Sequence, residues 1–115
     1  GKIYFAPYDA GQVLCVDPDA HAAVELLGPH LHGDWKYRAG GVLAPNGKIY
    51  FAPFHASQVL CLDPDAHAAV ELLGPHLHGD EKYLAGGVLA LNGKIYFAPN
   101  DAGQVLCVDP DAHAA

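Results

Sequence analysis

A chain of 115 residues with 13 acidic and 6 basic side chains carries a net charge of −7, which argues against nucleic acid and anionic membrane surfaces as partners. Half of it is apolar, yet no apolar run approaches the roughly 18 residues that a membrane span requires. Nothing near Gly1 has the form of a signal peptide, and a chain opening on Gly reads as a processed or trimmed product, or as one whose first residues are missing.

The run Gly1-Lys2-Ile3-Tyr4-Phe5-Ala6-Pro7 returns at Gly47 and at Gly93, a period of 46 residues. Residues 1–46 and 47–92 differ at seven positions, and 93–115 differ from 1–23 only where Tyr8 gives way to Asn100. So close a match points to very recent duplication or to deliberate symmetrisation, as in a designed or consensus-like protein. A tandem repeat of this length is one supersecondary unit stacked on copies of itself.

Along the chain, the first unit is partial and spans 1–38. Its stretch from Asp17 to Pro29 carries helix signals: Asp17 as N-cap, Pro18 in the first helical position, an Ala-rich interior, and Gly28-Pro29 as a stop. A helix here would make a ββα repeat. The period and the neighbouring hairpins favour a strand. The complete unit, 39–84, begins with the short apolar stretch Gly40–Pro45. Asn46-Gly47 between two apolar runs predicts a type I′ hairpin turn into the β-rich segment Lys48–Pro53. A polar turn at His55-Ala56-Ser57 leads to Gln58–Asp63, and Pro64-Asp65-Ala66 predicts another turn. Ala68–Leu73 is the fourth segment, closed by Gly74-Pro75, and a polar loop from His76 to Tyr83 reaches the next Ala-Gly-Gly. The third unit, 85–115, is again partial. Residues 1–115 thus read as a single domain.

Four short strands per unit, apolar on both faces as in Val59-Leu60-Cys61-Leu62, give an all-β fold of antiparallel β-propeller blades, about 2.5 to the chain. Asn-Gly-Lys-Ile-Tyr, a strand ending in Asp-Pro-Asp, and a last strand before Gly-Gly-Val-Leu resemble the kelch-type propeller repeat, over Ala39–Leu73 and Ala85–Ala115 and in part over Gly1–Leu27. The chain has Ala6-Pro7, Ala52-Pro53 and Ala98-Pro99 where kelch repeats usually carry a Gly pair, and Ala23 and Ala69 where they carry Trp. The resemblance implies a propeller and no functional residue. Partial units leave edges and apolar faces uncovered, so the expected activity is self-assembly. The reading is a non-enzymatic structural scaffold, a homo-oligomer whose copies close a ring and offer a binding platform.

His30-Leu31-His32 and His76-Leu77-His78 place two imidazoles on one face of an extended segment, a pattern that suits a divalent transition metal such as zinc, nickel or copper. No other cofactor is implied. His21, His67 and His113 read as turn-end polar residues, and protonation of the repeated histidines would make assembly sensitive to pH. The Asp17/Asp19, Asp63/Asp65 and Asp109/Asp111 pairs read as turn residues. Cys15, Cys61 and Cys107 read as small apolar groups, and this free-thiol pattern fits cytoplasmic or recombinant cytosolic expression. The variable positions are recognition candidates: Tyr8, Trp35, Arg38, Phe54 and His55, with a protein, a metal or a carbohydrate as ligand.

Overall fold

Residues 1–21, 23–65 and 69–115 are described by the computed structural model, so Ala66 of the expected Pro64-Asp65-Ala66 turn, the expected turn-end role of His67 and the starting residue Ala68 lie outside the described residues. The described residues hold ten strands, one 3-10 turn and no α-helix. Strands β1 (Ile3–Phe5), β2 (Val13–Asp17) and β3 (Ala23–Leu27) form the first antiparallel sheet in chain order. The second sheet has four strands, β4 (Val42–Leu43), β5 (Ile49–Phe51), β6 (Val59–Asp63) and β7 (Ala69–Leu73). The third comprises β8 (Val88–Leu89), β9 (Ile95–Phe97) and β10 (Leu106–Val108), followed by a bridge between Asp109 and Ala114. Pairing repeats with the sequence: the row Val42–Tyr50–Cys61–Glu71 crosses the central sheet, Tyr4–Cys15–Glu25 the first, and Val88–Tyr96–Cys107 the third.

The helix signals after β2 are used up within a single turn. The Asp17 carboxylate accepts from the Asp19 amide at 3.0 Å, Pro18 starts the 3-10 turn Pro18–Ala20, and His21 ends it with a left-handed φ of 55°. Beyond it, Ala23–Leu27 pairs residue for residue with β2, and the ladder overrides local helix propensity. The Asn-Gly hairpin differs from expectation. Asn46 keeps a negative φ, Gly47 takes φ 85°, and the Gly47 amide donates to Ala44 O at 3.0 Å. That is a type I turn closed by a left-handed glycine, and Pro45, with its φ preset, suits its second position. Leu91 occupies the same place before Asn92-Gly93. Asn46 also accepts from the Lys48 amide at 2.9 Å and donates to the Tyr50 hydroxyl at 3.1 Å.

The three sheets stack in chain order through alternate faces. Tyr50, Val59, Cys61 and Leu73 of the central sheet pack with Ile95, Phe97, Leu106 and Val108 of the third. On its other side, Phe51, Leu60 and Leu62 pack with Val13 of the first. This is why consecutive residues of one strand are all apolar: each face meets a different neighbour. The outermost faces carry the same residues uncovered. Phe5 is 51 % exposed where its equivalents Phe51 and Phe97 are 2 % and 0 %, and Val105 is 58 % exposed where Val13 and Val59 are each 1 %. Ile3, Val24 and Leu26 share the open face with Phe5.

Candidate functional site

The segment connecting β3 to β4 is stitched to the units on both sides. The amides of Lys36 and Tyr37 donate to Tyr8 O and Pro7 O at 2.9 and 3.1 Å, while Trp35 O and Lys36 O accept from the amides of His55 and Phe54, both at 2.8 Å. The Tyr37 hydroxyl then donates to Gln58 O at 2.7 Å, and burial pushes its pKa well above the ordinary tyrosine value. The connection after β7 repeats this geometry: Lys82 O accepts from the Asn100 amide at 2.8 Å and the Tyr83 hydroxyl donates to Gln104 O at 2.9 Å. Both links bury a lysine. Lys36 Nζ donates to Gly33 O at 2.7 Å and Lys82 Nζ to Gly79 O at 2.6 Å, and desolvation lowers the Lys82 pKa against the opposing charge of Asp80. In sequence these residues look like surface lysines, and nothing but their recurrence in a Lys-Tyr pair marks them.

On this common backbone the five recognition candidates meet in one place. Tyr8 and Trp35 lie parallel, with ring centroids 6.1 Å apart and planes 6° from each other. Phe54 lies 6.2 Å from Tyr8, and His55 sits edge-on to Trp35 at 5.0 Å. The Arg38 guanidinium carbon stands 5.7 Å from the Phe54 ring centre, a cation–π arrangement. Trp35 takes a left-handed φ of 52° and Glu81 one of 48° in its own link, so the backbone and not the side chain sets this conformation. Its amide is held by the Asp9 carboxylate at 2.9 Å. His55 Nε2 is buried and has no hydrogen-bond partner among the described residues. A cavity of about 380 Å³ opens beside the cluster, lined by Ala6, Tyr8, Tyr37 and Arg38. At the other junction the same positions hold Phe54, Glu81, Leu84, Asn100 and Asp101, with the Asn100 amide group donating to Glu81 O at 3.1 Å.

The histidine pairs are not drawn into such a cluster. His30, His32, His76 and His78 are all exposed, flanking half-buried Leu31 and Leu77, and no group of three or more potential metal ligands occurs among the described residues. His76 Nδ1 instead faces Ser57 Oγ at 2.9 Å, and in the first unit Gly11 stands where Ser57 does. His113 Nε2 meets the Glu71 carboxylate at 2.8 Å in an exposed pair. All three cysteines are free thiols, Cys15 and Cys61 buried, and burial raises the pKa of Cys61. No helix among the described residues is long and apolar enough to cross a membrane. No protein-family profile matches the chain, and no curated protein matches it.

Proposed function

We propose that the chain is a non-enzymatic scaffold of kelch-like blades whose copies associate head to tail and close a propeller ring. The observation that carries this reading is the unequal burial of equivalent side chains. Phe51 and Phe97 are covered by the unit before them, while Phe5 stands 51 % exposed. The covering surface belongs to the repeat itself: residues equivalent to Val13 and Tyr4 recur at Val105 and Tyr96 on the far side of the third sheet. The first sheet of one copy therefore complements the third sheet of another, a heterologous contact that becomes a ring when its rotation closes. Light scattering tests it. The wild-type chain should exceed its monomer mass of 12.1 kDa, and Phe5→Glu or Val105→Glu should each return it to that mass. Mixing the two variants should restore a single pairing, because each retains the face the other has lost. A wild-type chain that remains monomeric at tens of micromolar overturns the proposal.

A further inference from the structure

We propose that the cavity between Tyr8 and Arg38 binds a small six-membered ring carrying a carboxylate. Four observations meet there, independently of the assembly reading. The first is Arg38 itself. Its guanidinium makes no hydrogen bond or ion pair to any described residue, although the chain has 13 acidic side chains to 6 basic ones. Guanidinium is always charged and presents its donors as a planar fork that matches a carboxylate. Packing over Phe54 at 5.7 Å restrains that fork beside the cavity.

The second observation is the platform. Tyr8 is half-buried, so part of its ring remains open, and the nearly parallel Trp35 holds it from one side. An aromatic face of this kind takes a flat arene by stacking or a sugar ring through its C–H face. The third is the character of the remaining wall. Ala6 is small, and Tyr37 is 3 % exposed with its hydroxyl already given to Gln58 O, so the wall offers an apolar surface and no competing donor. A cavity of about 380 Å³ accommodates one ring and its substituents. The fourth is placement. Of the seven positions that distinguish units 1–46 and 47–92, Tyr8/Phe54, Asp9/His55, Trp35/Glu81 and Arg38/Leu84 all fall at this junction. At the junction with Leu84, Glu81 and Asn100 the cation is replaced by Leu84, and the ring at the Tyr8 position is Phe54, which is 2 % exposed and presents no open face.

Two sources share this chemistry, uronic acids and arene carboxylates, and separate titrations distinguish them. Trp35 is the chain's one tryptophan, so its emission reports on this junction alone, with calorimetry as a second readout. Glucuronate, galacturonate and benzoate are titrated into the wild-type chain, with glucose and benzamide as neutral counterparts. The expected result is saturable binding of at least one carboxylate in the millimolar range or tighter, with its neutral counterpart at least ten-fold weaker. Binding of the uronates alone, or of benzoate alone, supports the site and names the source. Arg38→Leu installs the residue that the second unit already carries at Leu84; it should weaken binding at least ten-fold while the loss of the contact with Phe54 lowers the melting temperature by only about 2–6 °C, leaving the chain folded at the assay temperature. Arg38→Lys, which keeps the charge but loses the fork, should fall between. Absence of saturable binding by every carboxylate, equal binding of a neutral counterpart, or unchanged affinity in Arg38→Leu each overturns the proposal.

Discussion

Gly40 and Gly41 are adjacent and neither has a left-handed φ, yet replacing them with Ala should have opposite effects. A Cβ at Gly41 would stand 2.6 Å from Ile49 Cγ2 and from Phe51 Cε1, against an optimal carbon–carbon separation of about 3.5–4.0 Å. The Phe51 ring would have to retreat by roughly 1 Å, and at 2 % exposure it has no room to do so. Overpacking of this kind costs about 1–3 kcal/mol, and the lower chain entropy of Ala in the unfolded state returns about 0.4–1 kcal/mol. Gly41→Ala should therefore destabilise by about 1–2 kcal/mol and lower Tm by roughly 4–10 °C. A Cβ at Gly40 meets nothing within 4 Å, so Gly40→Ala should be neutral or stabilising by up to about 1 kcal/mol. Thermal and urea melts of the two variants, read beside Gly41→Ala/Phe51→Leu, complete the test. The smaller side chain should absorb the part of the added cost of Gly41→Ala that comes from the Phe51 ring and leave the part that comes from Ile49 Cγ2. If Gly41→Ala and Gly40→Ala melt within about 2 °C of each other, the reasoning from close approach fails.

Two further outcomes follow from the links and the turns. Burial raises the pKa of Tyr37, Tyr83, Tyr50 and Tyr4 above the ordinary 10.0, so the fold holds phenolic protons that the unfolded chain releases. Their contribution is fully present below pH 10.0 and is lost as pH rises further; Lys82, with its pKa lowered from 10.5, acts in the opposite direction as pH approaches that value. Urea midpoints measured from pH 8 to 11.5 should begin to fall above about pH 9, where the unfolded Cys61 thiol ionises, and fall further above about pH 10, and Tyr37→Phe/Tyr83→Phe should flatten the second part of that fall. Asn46→Ala removes the bonds to the Lys48 amide and the Tyr50 hydroxyl and should cost about 1–2 kcal/mol in a denaturant melt, with Asn92→Ala showing the same sign.

What the sequence made legible was whatever lies within one repeat. Strand positions, the sheet order within each unit and the two-faced apolar runs all follow from local pattern. The Asn-Gly turn type did not, because Asn46 serves equally as the third residue of a type I turn whose side chain bonds forward to Lys48 and Tyr50. Nor did the fate of the Asp17–Ala20 signals, where a cap and a proline start one turn of 3-10 helix before cross-strand pairing takes over. The recognition candidates were individually visible as departures from the repeat. Their convergence was not, since Tyr8, Trp35 and Phe54 are far apart in sequence and meet only where two units join. The burial of Lys36 and Lys82 had no sequence signal beyond recurrence, because lysine is ordinarily a surface residue.

The links that join the sheets also decide how the molecule comes apart. Lys36 donates to the loop before it and accepts from the loop after it, and Lys82 does the same one unit later. A unit cannot melt without breaking the hydrogen bonds between its link and the loops of its neighbours, so loss of order spreads along the chain as in a one-dimensional cooperative array. In an unassociated copy the two outer sheets have one neighbour each and open first, and hydrogen exchange should be slowest at Leu60 and Cys61, in the strand enclosed from both sides within one chain. Every unit added to such an array contributes a further stitched seam, and the resistance of its centre grows with length.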